Sequence, residues 1–393
     1  MKPQLCEVLP DTDDWVLREA ALAAMGCHDR KRRINTLRVF PRHRLDELRT
    51  FAIRNRIGPI VAHAVLDART GSSQSELEPW RALHDASVRR MEVMMRVLDD
   101  AAAALHAKGI RLIALKNAGI ARGIHTCAAC TPMGDLDVLV DPARFHEAHE
   151  ILSATGLQLA SRSKVEPADL EQMFASGGTE YRREVDGEEV WFELQWRPVA
   201  GRWIRRDQEP TAADLIARSH AIEGSHVRLL CPEDNLLQVC LHTAKHSYVR
   251  APGLRLHTDV DRIVAGSEID WDHFIALVDG LSVRTSSYLS LAVAAAMLDT
   301  PVPGTVLDHL RPARWRLDTL TWWLRRVDIF EPDRRKFNRP EMLAFHALLY
   351  DDTPGLVASV LDVEPDELGI MQLPQNLGRG AKRVWDVITR YQA

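Results

Sequence analysis

Thr131-Pro132-Met133-Gly134-Asp135-Leu136-Asp137-Val138-Leu139-Val140 is the stretch whose reading decides the fold. Side chains on a strand alternate between faces, so Asp135 and Asp137 project the same way while Leu136 and Val138 point into apolar packing. Two like charges side by side on one face repel unless a cation lies between them. Oxygen-only donors suit a hard ion such as Mg²⁺, which keeps several waters and takes one or two carboxylates together with substrate phosphates. The run stops at Asp141-Pro142, because proline cannot continue a central strand. An aspartate pair of this kind also occurs at solvated strand ends, so the neighbouring segments carry the decision.

Upstream, Ile110-Arg111-Leu112-Ile113-Ala114-Leu115 is a short β-prone run that opens into a turn, Lys116-Asn117-Ala118-Gly119. Downstream, Phe145 to Leu152 reads as a helix. Glu180 to Val185 and Glu189 to Trp196 are two strand candidates joined by Asp186-Gly187, a strong hairpin signal. Glu193 sits in the second of these among Val190, Trp191, Phe192 and Leu194, where an unpaired charge is costly. If that strand lies beside the Asp135 strand, all three acids converge on one face; a wet strand face is the other reading. The predicted architecture is α+β: a small mixed-sheet core over residues 108–200, flanked by helical regions at 1–107 and 201–393.

The flanks carry helical periodicity. Apolar residues from Leu45 to Val65 recur at three- and four-residue steps, and Trp80 to Ala107 does the same with Met91, Met94 and Met95 in its stripe, read as core. Cys231-Pro232-Glu233-Asp234 looks like a helix start, and Asp270 like the N-cap of Trp271 to Val278. Thr300-Pro301-Val302-Pro303-Gly304 breaks the pattern before a helical, tryptophan-bearing remainder with Trp315, Trp322, Trp323 and Trp385. On the helix predicted for Asn235 to Tyr248, His242 and His246 have the i, i+4 spacing of a zinc pair but no accompanying acid of the zincin kind. Core or hydrogen-bonding roles come first for them, triphosphate contacts second and zinc third. Arg197, Arg202, Arg205 and Arg206 read first as a solvated basic loop, with phosphate or acceptor binding second, and Arg30-Lys31-Arg32-Arg33 reads as a solvated face.

The 393 residues are 46% hydrophobic and 27% charged, ordinary for a globular chain, and the net charge of −5 gives no basic footprint for a dedicated nucleic-acid binder. No stretch approaches the roughly 20 apolar residues of a spanning helix, and Met1-Lys2-Pro3-Gln4-Leu5 lacks the pattern of a signal peptide; a cytoplasmic location is expected. Six cysteines (Cys6, Cys27, Cys127, Cys130, Cys231 and Cys240) do not make a disulfide framework at this length. The lone C-x-x-C of Cys127 and Cys130 lies between the two core strands with no second pair, and reads as loop ahead of a zinc or redox motif.

Leu115-Lys116-Asn117 followed by Met133-Gly134-Asp135-Leu136-Asp137-Val138-Leu139-Val140 resembles the core of the nucleotidyltransferase superfamily. The likeness is specifically to a family of uncharacterised bacterial nucleotidyltransferase-like proteins found in biosynthetic gene clusters. Its pattern is a strand ending in Leu-Lys-Gly, a variable turn, then Arg-x-Met-Gly-Asp-x-Asp-Leu-Leu-Val. Phe192-Glu193-Leu194-Gln195-Trp196 is similar to the family's later acid-bearing strand. Pro232-Glu233-Asp234, Leu241-His242-Thr243-Ala244-Lys245-His246, Leu254-Arg255-Leu256-His257-Thr258-Asp259-Val260-Asp261, Ile269-Asp270-Trp271 and Pro301-Val302-Pro303 follow in the family's order. Two positions depart from the pattern: Asn117 stands where glycine is usual, and Thr131 where arginine is usual.

The resemblance implies transfer of a nucleoside monophosphate from a nucleoside triphosphate to a hydroxyl or other nucleophile of a small molecule or peptide, with pyrophosphate leaving. Asp135, Asp137 and Glu193 would be both catalytic residues and ligands to two Mg²⁺ ions about 3.5–4 Å apart, with Mn²⁺ as an alternative. Lys116, Asn117, Gly119, Gly134, His242 and Lys245 would bind the nucleotide, the turn after Leu115 offering backbone N–H groups and a cation to the β- and γ-phosphates. Asn117 and Thr131 keep open a second class of function: a fold that binds nucleotide or a partner protein without turnover.

Overall fold

The computed structural model describes residues 14–125, 127–162, 169–199, 204–246, 254–325, 329–330, 339–351 and 356. Met1–Leu5, Cys6, Arg202, Tyr248 and Trp385, singled out above, lie outside the described residues.

The chain opens with α1 (Trp15–Met25), α2 (Arg30–Val39), α3 (Leu45–Arg54), α4 (Gly58–Ala68) and the long α5 (Gln74–His106). The periodic stretch from Leu45 to Ala68 is two helices rather than one. The break follows from Arg56 at φ +57° and from Gly58-Pro59, with proline in the first turn of α4 where its missing N–H costs nothing. Buried Asn55 fills the gap, its amide donating to the Phe51 carbonyl (3.1 Å) and to Phe330 (3.0 Å).

After α5 come β1 (Leu112–Ala114), α6 (Lys116–Gly123), β2 (Asp135–Leu139), α7 (Phe145–Ala154), β3 (Gln158–Ala160), α8 (Leu170–Ser176), β4 (Gly178–Val185) and β5 (Glu188–Gln195). Asp186 and Gly187 both take positive φ (+53° and +78°), the turn geometry expected of Asp-Gly between paired strands. Then follow α9 (Ala212–Arg218), β6 (His220–Ala221), β7 (Val227–Leu229), α10 (Pro232–His246), α11 (Arg255–Gly266), α12 (Trp271–Gly280), α13 (Arg284–Leu298), α14 (Gly304–Leu310), α15 (Arg314–Arg325) and α16 (Arg339–Leu348). Asp270 caps α12 by accepting from the His273 N–H (3.0 Å).

The strands form one mixed sheet in the order β3-β4-β5-β2-β1-β7-β6. Residues 108–200 hold β1 to β5, and β6 and β7 complete the sheet beyond β1 from residues 220–229. These two strands are too short, and β6 too exposed, to show a period of two in sequence. Among the described residues no helix is long and apolar enough to cross a membrane.

Two apolar cores meet along α5, whose 33 residues reach about 50 Å at 1.5 Å per residue. Its first turns put Leu77 and Trp80 into a helical core built by α1 to α4 together with α10 to α15. Its later turns put Met91, Met94, Val97, Leu98 and Leu105 against one face of the sheet, with Leu136, Val138, Phe145 and Phe192. The methionine stripe is thus core, as read. Among the described residues, the opposite sheet face carries a small cluster, Ile113, Leu115 and Leu139 under α9, and leaves room for polar groups beside it.

Candidate metal and nucleotide site

Strand β2 runs parallel to β5, and the register places Asp137 opposite Glu193. Residues opposite each other in a sheet project from the same face, and Asp135 is two positions along on that face. Oxygens of Asp135, Asp137 and Glu193 accordingly lie within 4.8 Å of one another. Asp137 is buried, and the other two are half-buried. The apolar alternation supplies the anchor: Leu136 and Val138 are fully buried on the far face, so a one-residue slip of β2 would bury the acids in the core and expose both aliphatics.

Cations already attend the cluster. Lys116 Nζ lies 2.6 Å from Asp137 Oδ1, which also accepts from the Gln195 amide at 2.9 Å. Arg162 donates to Asp135 Oδ2 at 2.7 Å while its guanidinium stacks 4.8 Å over the Trp191 ring. Burial pushes the Asp137 carboxyl well above its usual range; Lys116 opposes this, and Asp135 and Glu193 add to it. Burial works against the Lys116 ammonium too, but Asp137 and Glu193 outweigh it and hold its pKa up. For Asp135 burial is outweighed by Arg162 and Lys116, and the carboxyl ends below its usual range. Lys116 and Arg162 bond two of the three carboxylates, and Arg255 also acts on Asp135. Lys116 and Gln195 both bond Oδ1 of Asp137, which among the described residues leaves Oδ2 open to a cation. An all-oxygen donor set fits a hard divalent ion.

Lys116 takes φ +50°, a backbone conformation a non-glycine residue adopts at a cost of order 1 kcal/mol. That bend turns β1 into α6, and the Gln238 side-chain oxygen accepts the Lys116 N–H (3.2 Å). Asn117 does not fill the phosphate side of the turn. Oriented to satisfy its neighbours, its amide nitrogen donates to Asp259 (2.8 and 3.1 Å) and its oxygen accepts from Arg255. Gly119 lies where α6 crosses β1, and a Cβ there would stand 2.9 Å from the Ala114 carbonyl oxygen. Gly134 faces open space before the first acid. Lys245 Nζ reaches the Val199 carbonyl (3.4 Å), which ties α10 to the chain after β5.

His242 and His246 lie 4.7 Å apart by ring centroids and draw in no third metal donor among the described residues. Burial, then Lys116, holds His242 well below the usual imidazole range. A histidine with a depressed folded pKa stabilises the fold above its unfolded pKa and loses that support as pH falls through the folded one. His242→Asn is therefore expected to flatten the acid limb of the stability curve below about pH 6.5, read by thermal unfolding from pH 8 down to pH 4.

Several residues of this site escaped the sequence reading. Gln195 stands two positions after Glu193 on the same strand face, so a period of two could have found it. Arg255 and Asp259 are four apart on α11, one face of a helix, and could have been paired by spacing. Arg162 and Gln238 reach the site only through tertiary packing. Of the basic loop, Arg197 pairs with Glu209, and Arg206 stacks on Trp196.

A family model described as uncharacterised nucleotidyltransferase matches residues 41–299. The match covers more than half the chain and takes in the sheet, the acidic cluster and α10 to α13; the chain belongs to this nucleotidyltransferase family. Neither a curated protein nor a solved structure matches it.

Proposed function

We propose that the chain transfers a nucleoside monophosphate from a nucleoside triphosphate to a hydroxyl or other nucleophile on a small molecule or peptide, in a bacterial biosynthetic pathway. The observation that carries this reading is the β2–β5 register, which sets Asp137 opposite Glu193 and draws three carboxylates together beside Lys116. Asp135, Asp137 and Glu193 would hold two Mg²⁺ ions, or Mn²⁺ in their place. Bound there, the ions supply neutralisation and alignment of the triphosphate oxygens.

The chain's own groups do the rest. Glu193, half-buried at the edge of the cluster, accepts the proton of the acceptor hydroxyl as its oxygen bonds to the α-phosphorus. The bond from that phosphorus to the bridging oxygen of the β-phosphate breaks, and pyrophosphate leaves. Lys116 holds its ammonium at Asp137, where it can pass to the triphosphate when cations occupy the acids. The first turn of α6 leaves backbone N–H groups at Asn117 and Ala118 to meet phosphate oxygens. Open space beside Gly134 lets the triphosphate approach the strand. His242, kept neutral, adds a hydrogen-bonding group without adding to the repulsion at Lys116.

On this reading, the two departures from the family pattern are met by neighbouring residues. Asn117 spends its amide on Asp259 and Arg255 instead of on the phosphate side. Arg255 also donates to the Pro132 carbonyl (3.0 Å), which brings a guanidinium next to Thr131, where the family carries arginine. On this reading Arg255 from α11 supplies the missing phosphate contact. Arg255→Met should raise KM for the triphosphate about tenfold, the worth of one charge-assisted hydrogen bond, with kcat changed less than twofold in steady-state assays.

The test incubates the protein and Mg²⁺ with each of the four triphosphates, labelled at the α-phosphate, and with metabolites or the peptide encoded by neighbouring genes. Label appearing on an acceptor with stoichiometric pyrophosphate supports transfer. Triphosphate binding with no pyrophosphate across those acceptors supports the non-catalytic reading instead.

A further inference from the structure

Far from the carboxylates, the C-x-x-C loop read above as plain loop meets two histidines from separate helices. We propose that Cys127, Cys130, His63 and His84 form a structural zinc site.

Cys127 Sγ lies 3.6 Å from His63 Nδ1 on α4 and 3.8 Å from His84 Nε2 on α5. Donor atoms of Cys127, Cys130 and His63 all fall within 4.8 Å of one another, and His84, outside that set, approaches through Cys127. In a tetrahedral site with Zn–S near 2.3 Å and Zn–N near 2.0–2.1 Å, neighbouring donors stand about 3.6 Å apart, so the observed sulfur-to-nitrogen spacings are those of a tetrahedron's edges. The tight turn at Ala128–Cys130, closed by the Cys130 N–H on the Cys127 carbonyl (3.1 Å), is how a C-x-x-C presents both sulfurs to one point. Thiolate with imidazole selects zinc over the hard ions suited to Asp135 and Asp137. His84 also has an outer partner: its Nδ1 lies 3.5 Å from the Asp85 carboxylate, which would fix the ring with Nε2 toward the metal.

The surroundings of the cluster are otherwise spoken for or cationic. The cluster lines a cavity of about 560 Å³ shared with Arg33 and Arg262. Among the described residues, Nε and Nη1 of buried Arg262, and Nε of Arg33, have no hydrogen-bond partner. The other groups on the wall are committed elsewhere: the Cys27 N–H and Sγ both go to Asp261 (3.0 and 3.1 Å), and His125 Nδ1 accepts the Cys127 N–H (3.2 Å). No disulfide joins the described cysteines. The proposed metal ties the loop between α6 and β2 to α4 and α5, and this loop delivers Thr131–Gly134 to Asp135. Its role would be to fix the entry of the acid-bearing strand.

The full-length protein, purified under reducing conditions without chelator, should contain one zinc per chain by elemental analysis. Cobalt substitution should give tetrahedral ligand-field bands and a thiolate-to-cobalt charge-transfer band. Cys127→Ser and Cys130→Ser should lose the metal, and His63→Ala and His84→Ala should bind it more weakly with shifted cobalt bands. Asp137→Asn should keep it, which separates this centre from the carboxylate site. If the cysteine variants fail to fold, chelator-stripped wild-type protein serves instead, and should take up one cobalt with the charge-transfer band. Wild-type protein that takes up no zinc when reduced, or zinc retained in folded Cys127→Ser, overturns the proposal. So does a Cys127–Cys130 disulfide in metal-free protein as purified.

Discussion

Asp137→Asn should lower kcat by about a thousandfold or more, close to 4 kcal/mol of transition-state stabilisation, while the protein stays folded. The amide keeps the shape of the carboxyl and can still face the Gln195 side chain, so Leu136 and Val138 hold β2 in register. What goes is the central anion of the cluster, the acid opposite Glu193 and closest to Lys116. The same residue gives a pH signature. A carboxyl whose folded pKa lies above its unfolded value supports the fold below the unfolded pKa and withdraws that support as pH rises through the folded one. Asp137, pushed up first by burial, therefore weakens the metal-free protein as pH rises. A divalent cation competes with the proton for this carboxyl and favours its charged form. Mg²⁺ should raise Tm of the wild type increasingly with pH, and should do so far less in Asp137→Asn. Differential scanning calorimetry across pH 5–9, with and without Mg²⁺, reads both effects.

Gly119→Val should cost both stability and activity. Helix propensity alone favours replacing a glycine in mid-helix, by up to about 1 kcal/mol for alanine. Here the new Cβ would stand 2.9 Å from the Ala114 carbonyl oxygen, a backbone atom of β1 that cannot swing aside. Overpacking of this kind costs about 1–3 kcal/mol, more than the propensity gain, so α6 must lift from β1. Lys116 begins α6 and would move with it away from Asp137. A misplacement near 1 Å at such a group costs on the order of 100-fold in rate. Thermal unfolding and kcat should fall together. If kcat falls with Tm unchanged, Gly119 acts at the phosphates rather than through packing.

The parts of this protein that were legible in its sequence are those set by local patterning. The alternation in Asp135 to Val140, the Asp186-Gly187 turn and the methionine stripe of α5 each appear in the structure with the roles their spacing implies. The β2–β5 pairing was conditional in the sequence, since nothing local states which strand lies beside which. What escaped depends on tertiary approach. His63 and His84 stand on helices more than 40 residues before Cys127, and only the packing of α4 and α5 against the loop brings them to its sulfur. Arg30 to Arg33, read as a solvated face, divides in the fold. Arg30 and Arg32 pair with Asp67 and Glu19, while Arg33 also reaches Asp67 (3.7 Å) but lines the cysteine cavity. Arg69 looks like any surface arginine in the sequence. In the fold it is buried, bonded to the Leu37 and Phe40 carbonyls and paired with Glu76.

On the function proposed above, Asp135, Asp137 and Glu193 gather divalent cations for nucleotidyl transfer. Titration of Mn²⁺ into the protein with a non-hydrolysable triphosphate present, followed by electron paramagnetic resonance, tests this most directly. Two Mn²⁺ bound per wild-type chain, and strong loss of binding in folded Asp137→Asn, are expected. Equal Mn²⁺ binding by wild type and Asp137→Asn would contradict it.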